Sequence, residues 1–253
     1  MKISIIVPTF NSSATIQDNL DSVIAQKFNN YEILIIDNES TDNTIEIVKK
    51  NNLLNVKFII EKDRGIFDAI NKGIKISSGD IISVLHSDDI YNDRNVLEKV
   101  TNTFLSCNAS IVYGDLLYVR KNNLNSVLRY WKSGPFKDGD FHKGWHPPHP
   151  SFFAKKILFE IYGNYKNDIG NSADVELMHR LLQKNKIDFF YVSSIFVKMR
   201  YGGKSNKKFN SIIEQNKQII KFLEIDKNYY KIIIFFVYKV INRLRQFFSR
   251  PEF

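Results

Sequence analysis

The first half of the chain alternates between two hydrophobic patterns. Near-continuous apolar runs at 3–10 (ISIIVPTF), 31–38 (YEILIIDN), 56–60 (VKFII) and 80–85 (DIISVL) predict strands buried on both faces. Between them, 13–26 carries Ile16, Leu20, Val23 and Ile24 at helical spacing, and 65–77 sets Phe67, Ile70 and Ile74 on one helical face. Asn43 followed by Glu46 resembles a capping box and predicts a helix over 44–50. This alternation predicts an α/β domain with a mostly parallel, Rossmann-like sheet flanked by helices. The second half is less regular. It predicts helices at 94–105 and 174–185, a strand at 110–115 and apolar extended segments over 188–200. The stretch 131–150, rich in Gly, Pro, Trp and His, predicts a lid or binding loop.

In open parallel sheets, ligands bind beyond the carboxyl ends of the strands. The residues leaving those ends are Pro8, Thr9 and Asn11, then Asp37 and Asn38, then Glu61 and Asp63, and finally His86 to Asp89 in SVLHSDD. Three of the four strands deliver carboxylates to one edge, which points to a site rather than to solvated turns. Neither G-x-G-x-x-G nor G-x-x-x-x-G-K-[ST] occurs after the first strand. A nucleotide here would be held through side chains and a metal.

The last apolar pattern is of another kind. Over 229–250, Val237, Val240, Ile241, Leu244, Phe247 and Phe248 share one helical face, while Lys239, Asn242, Arg243, Arg245 and Gln246 share the other. Charge sharpens this. Residues 1–197 hold 23 Lys+Arg and 23 Asp+Glu, whereas 198–253 hold 13 Lys+Arg and 4 Asp+Glu, so the net +9 resides at the C-terminal end. A neutral body with a basic amphipathic tail predicts a helix lying on an anionic membrane surface rather than a nucleic-acid binder. A tail packed on the body or on a second copy is the competing reading, and a homo-oligomer is left open. The N-terminus is too soon polar for a secretory signal and no apolar stretch spans a bilayer, so the expected location is cytoplasmic, peripheral at the inner face of the cell membrane. The single Cys107 excludes an internal disulfide and predicts a buried or partly buried thiol.

The motifs IIVPTFN, ILIIDNESTDNT, EKDRGIFDAINKGI, SGDIISVLHSDD, PPHPSFFAKKILFEIYG, SADVELMHRL and MRYGGKSN, in this order over residues 1–206, resemble those of the family-2 glycosyltransferases. DRGIFDAINKGI followed by SDD is similar to a subgroup that builds bacterial surface polysaccharides. The resemblance implies a GT-A fold over 1–206, with a nucleotide-sugar-binding half (1–115) and an acceptor-binding half (116–206), followed by the basic tail at 207–253. It implies an inverting, metal-dependent transfer from a nucleotide-sugar, with UDP favoured, to a lipid-linked saccharide.

By the same resemblance, Asp88, and less directly Asp89, would bind Mn²⁺ or Mg²⁺ bridging the donor diphosphate. His86 stands where the family carries an acid, and would meet the ribose. Pro8, Thr9, Asn11 and Asp37 match the nucleoside-binding end. Asp63 and Asp68 fall in the donor segment, with surface acids as the alternative. Asp174 matches the acid of a Glu-Asp motif in which Ala173 replaces the glutamate, and would be the general base; otherwise it is an acid favoured at a helix N-terminus. His149 would contact the acceptor, or be structural. Arg200 and Lys204 would neutralise the leaving diphosphate, or be surface charges. The changes at 86 and 173 also admit a catalytically weakened, membrane-associated sugar-nucleotide-binding protein on the same fold.

Overall fold

The computed structural model describes residues 1–51, 55–202 and 209–251. Its first half follows the hydrophobic pattern: β1 (Ile3–Thr9), α1 (Ile16–Ile24), β2 (Tyr31–Asp37), α2 (Thr44–Lys50), β3 (Val56–Ile60), α3 (Ile66–Ile76) and β4 (Ile81–Val84). These four strands are parallel, in the spatial order β3-β2-β1-β4. The sheet then continues through β8 (Phe152–Lys155), antiparallel to β4, into β6 (Ile111–Arg120), β9 (Phe189–Arg200) and β5 (Asp89–Tyr91). β7 (Asn123–Trp131) pairs with β6 as a hairpin beside this path. The hairpin and the short β5 and β8 are absent from the sequence prediction. Their segments are too short, or too polar at alternate positions, to stand out as apolar runs.

The continuous apolar runs conceal a period of two. Ile3, Ile5 and Val7 face a core built with α1 and α4 (Val96–Cys107), while Ile6 faces a second core built with α3. α3 lies very close on β1. A Cβ at Gly73 would meet Ile6 Cγ2 at 2.6 Å, so any larger residue would push the helix off the sheet. At α2 the expected cap is replaced. Asn43 makes no side-chain cap, and the Asp42 carboxylate instead accepts from the Thr44 N–H at 3.0 Å.

In the second half, α5 (Ile157–Tyr162) precedes a helix that is α-helical over α6 (Ala173–Met178) and wider, π-type, over 179–184. Two further helices, α7 (Phe209–Phe222) and α8 (Tyr229–Phe248), follow β9. The C-terminal segment is not set apart from the body: Ile219, Leu223, Ile225 and Phe235 belong to the same core as α3 and α6. Burying a side chain such as Phe235 contributes about 1.5–3 kcal/mol. α8 begins where the Asn228 side chain accepts from the Lys231 N–H at 3.0 Å. No helix among the described residues is long and apolar enough to cross a membrane. Cys107 is exposed at the end of α4, contrary to the expectation of a buried thiol.

Candidate active site

The carboxyl ends of β1, β2 and β4 open on a cleft of about 480 Å³. Pro8, Thr9, Asn11, Asp63, His86, Asp88 and Arg200 line it, so seven of the residues singled out in the sequence meet here. Asp63 is held by its own turn: its N–H donates to Asn38 Oδ1 and its Oδ1 accepts from the Gly65 N–H, both at 2.9 Å. Burial pushes its carboxyl up, while the Gly65 hydrogen bond opposes this.

Asp37 lies beneath the cleft rather than in it. It is fully buried, and its carboxylate accepts from the Thr9 hydroxyl at 2.9 Å and from the Ser40 N–H and hydroxyl at 2.7 Å each. It thereby ties the end of β1 at Thr9 to the loop at Ser40 that follows β2. Asp68, on the first turn of α3, faces a surface depression near α5. Burial would raise its carboxyl, but hydrogen bonds from Arg64 and the nearby Lys72 outweigh this and hold it below the ordinary value. Lys204 lies outside the described residues.

The opening of β5 separates the two adjacent acids. Asp88 is turned into the cleft, whereas Asp89 is fully buried at the first residue of the strand, paired with Met199 of β9. Neither oxygen of Asp89 has a hydrogen bond of ordinary geometry. Burial first, then the like charge of Asp88, pushes the Asp89 carboxyl well above its usual range. Arg200 clamps this corner. Its guanidinium donates to the Asp88 carbonyl at 2.7 Å and to the Lys121 carbonyl at 3.3 Å, and it pairs with Asp18. From the other side, the fully buried Asn19 of α1 donates to the carbonyls of His86 at 2.9 Å and Asp89 at 2.8 Å. Sequence reasoning overlooked Asn19. The signal was an asparagine on the helix face shared by Ile16, Leu20 and Val23, where a buried amide needs partners.

A second cavity of about 250 Å³ adjoins the cleft, and Ile66, His86 and Met199 line both. His149, Asp174 and Trp131 line the second cavity, together with residues of α7 and α8. The rings of His86 and His149 are 5.7 Å apart, and His149 Nε2 is 2.8 Å from the Tyr165 hydroxyl. Burial lowers both histidines, His149 to about 3, so both rings are neutral at physiological pH. Asp174, at the start of α6, accepts from the Val175 N–H at 2.7 Å. Burial pushes its carboxyl up to about 6, against the Val175 hydrogen bond and the charge of Lys239. A carboxylate poised near neutrality is suited to taking a proton from a hydroxyl.

α8 contributes to this wall with its polar side. Lys239, Asn242, Arg243 and Gln246 line the cavity, and Lys239 donates to Asn216 Oδ1 at 2.6 Å. Arg245 instead lies among Ile241, Leu244 and Phe248 on the outer side. These cationic residues of the site were read in the sequence only as a membrane-facing charge. Asp115, which the sequence left without a role, is buried and satisfied by Tyr130, the Ser133 N–H and Tyr191.

In the described residues no three His, Cys, Asp or Glu side chains converge as a metal site. The donor set therefore does not suit an all-protein metal cage. It fits an ion held mainly by a diphosphate and water, for which one or two carboxylates suffice, and Asp88, with Asp63 on another strand end, reaches the cleft.

The profile described as "Glycosyl transferase family 2" matches residues 4–165. The chain belongs to glycosyl transferase family 2. An Escherichia coli UDP-Glc:alpha-D-GlcNAc-diphosphoundecaprenol beta-1,3-glucosyltransferase is 34% identical over 123 residues, 48% of either chain, so that match spans about half the length of the relative. A Methanococcus voltae dolichyl N-acetyl-alpha-D-glucosaminyl phosphate 3-beta-D-2,3-diacetamido-2,3-dideoxy-beta-D-glucuronosyltransferase is 26% identical over 92% of this chain and 77% of its own. Among solved structures, an S. aureus TarS fragment in complex with UDP-GlcNAc superposes with a TM-score of 0.69 at 17% identity, over 94% of this chain and 71% of that one. The mannosyltransferase PcManGT from Pyrobaculum calidifontis, in complex with GDP-Man and Mn²⁺, superposes with a TM-score of 0.64 at 16% identity, over 95% and 69%. This family-2 glycosyltransferase thus has the GT-A fold expected from its motifs, and α8 forms one wall of its second cavity.

Proposed function

We propose that this glycosyltransferase transfers a sugar, with inversion, from a UDP-sugar to a lipid-linked saccharide during bacterial surface polysaccharide synthesis. The observation that carries the reading is the junction of two cavities at His86. One is lined by strand ends and Asp88, the other by Asp174 with its raised carboxyl. The former would take the donor, the latter the acceptor. Relatives named for UDP-Glc and diphosphoundecaprenol, and for a dolichyl phosphate saccharide, support this class of donor and acceptor.

In this mechanism the acceptor hydroxyl oxygen bonds to the anomeric carbon as the bond to the diphosphate breaks. Asp174 takes the hydroxyl proton, a contribution of about 10²–10⁴-fold. Mn²⁺ or Mg²⁺ held by Asp88 would neutralise the diphosphate. Pro8, Thr9, Asn11 and Asp63 would hold the nucleoside, and neutral His86 would meet the ribose. Arg200 would favour the departing charge, and so would Lys204. Asp37 would act by fixing strand ends, Asp68 by fixing the start of α3, and Asp89 by shaping the Asp88 corner. His149 would orient the acceptor through Tyr165. The weakened-binder alternative predicts donor binding without turnover, and a carboxyl near 6 beside the acceptor cavity favours turnover.

The outer face of α8 would rest on the membrane. Val240, Leu244, Phe247 and Phe248 are each more than half exposed, and the basic excess lies in the same region.

The donor assignment is tested by calorimetry of UDP with Mn²⁺. Asp88→Asn should retain the native melting curve and lose metal-dependent UDP affinity. Unchanged Mn²⁺-dependent UDP affinity in that variant would remove Asp88 from the metal site.

A further inference from the structure

We infer that Arg129, Lys239 and Arg243 form a phosphate-binding subsite in the acceptor cavity, which takes the diphosphate joining a short saccharide to its lipid carrier. The inference rests on the transferase reading for the identity of the acceptor. Its chemistry rests on an excess of positive charge that the protein leaves uncompensated.

The three side chains line one cavity of about 250 Å³, whose lining includes a single carboxylate, Asp174. They come from separate elements: Arg129 from β7, and Lys239 and Arg243 one turn apart on α8. Among the described residues, none of the three is within 4.0 Å of a carboxylate oxygen in an ion pair. Arg129 is only 7% exposed, with its guanidinium carbon 3.8 Å above the Tyr118 ring and its Nε buried without a hydrogen-bond acceptor. Lys239 is anchored by Asn216 but has no anionic partner closer than the interaction with Asp174. Burial lowers both groups, Lys239 to about 8, and the charge of Arg243 lowers them further. Buried cations set beside a further positive charge are costly unless an anion joins them. Two guanidinium groups and an ammonium suit phosphate oxygens, since the planar Arg fork can bind two at once.

The donor diphosphate is not that anion, because none of the three residues lines the donor cleft. Placement favours the acceptor. Asp174 shares the cavity, so a hydroxyl at Asp174 and a phosphate at Arg129 and Arg243 lie within one small space. That favours an acceptor with few sugars between the reacting hydroxyl and the diphosphate. The opposite side of α8 presents Val240, Leu244 and Phe248 outward. A prenyl diphosphate has the same order of chemistry, anionic at the head and apolar beyond it.

Farnesyl diphosphate, titrated below its micelle threshold into the full chain with the donor cleft saturated by UDP and Mn²⁺, tests the subsite. Native protein should bind it at least about tenfold more tightly than farnesol. Arg243→Gln and Lys239→Gln should each remove about that preference, and Arg243→Lys should keep most of it. Arg243 is exposed, so its variants are expected to melt like the native protein. Should Lys239→Gln not fold, the native preference and the Arg243 pair decide the matter. Equal binding of farnesyl diphosphate and farnesol, or an undiminished preference in folded Arg243→Gln, overturns the inference. The UDP titration is read separately. Absent UDP binding with an intact farnesyl diphosphate preference counts against the transferase reading, and the reverse pattern discards the subsite alone.

Discussion

Asp174 shows how one side chain joins stability to chemistry. Its carboxyl is pushed up to about 6, chiefly by burial, and Lys239 restrains the rise. The ionised form is thus disfavoured in the folded state, so folding stability associated with this group is lost as pH rises through about 6. Asp174→Asn should therefore raise the melting temperature more at pH 8 than at pH 5, while transfer falls by at least about 10²-fold. A variant that keeps native turnover would exclude Asp174 as the base. If Asp174 is the base, kcat should rise with pH through a limb near 6, because that carboxyl must be ionised to take the proton. Lys239→Gln removes a nearby positive charge and should move that limb upward, a shift that a purely structural lysine would not produce. At this scale the sequence showed which acids gather at strand ends, but not which of them reach solvent. Asp37 ends β2 and Asp63 follows the neighbouring β3, yet Asp37 is consumed by Thr9 and Ser40 while Asp63 lines the cleft. Hydrogen-bond partners brought from elsewhere decide that difference.

Among the elements, α8 departs furthest from its sequence pattern. Its amphipathicity was legible, and its direction was not: the polar face turns to the second cavity and the apolar face outward. An amphipathic period defines two faces, but not which one meets the body. Phe235 decides it, being buried at 1% among core residues, together with the approach of Gly144. Gly144 has φ +65°, and a Cβ there would meet Lys239 Cβ at 2.8 Å and the Phe235 carbonyl at 3.2 Å. Gly144→Ala is then both strained and clashing. It should lower the melting temperature and raise KM for the acceptor, while UDP affinity stays native, since no residue of the donor cleft is touched. An acceptor KM that is unchanged would show that α8 does not shape that cavity.

At the scale of the whole molecule, the charge-neutral body and the basic C-terminal region share one core through Ile219, Leu223, Ile225 and Phe235. If the outer face of α8 lies on the membrane, Leu244→Glu with Val240→Glu should abolish sedimentation with anionic phospholipid vesicles and leave the melting curve native, because both side chains are exposed. Added salt should weaken the native protein's vesicle binding, as screening shortens the reach of its basic residues. Native-like sedimentation of the double variant would refute the membrane-facing orientation. Deleting α8 is a poorer test, for it would also remove Phe235 from the core and open the second cavity.

The sequence by itself determined the parallel character of the first four strands, the edge at which ligands would bind and the family, because these rest on local periodicity and on motifs contiguous in the chain. Only the tertiary structure decided that Asp88 faces the cleft while Asp89 is buried, since the turn between them is set by Asn19 and Arg200, which lie far away in the chain. It alone set Arg129 beside Lys239 and Arg243, from a hairpin and a helix more than a hundred residues apart. Such long-range placements depend on which surfaces pack, and packing reflects the shape and volume of the whole core rather than the pattern of any one segment.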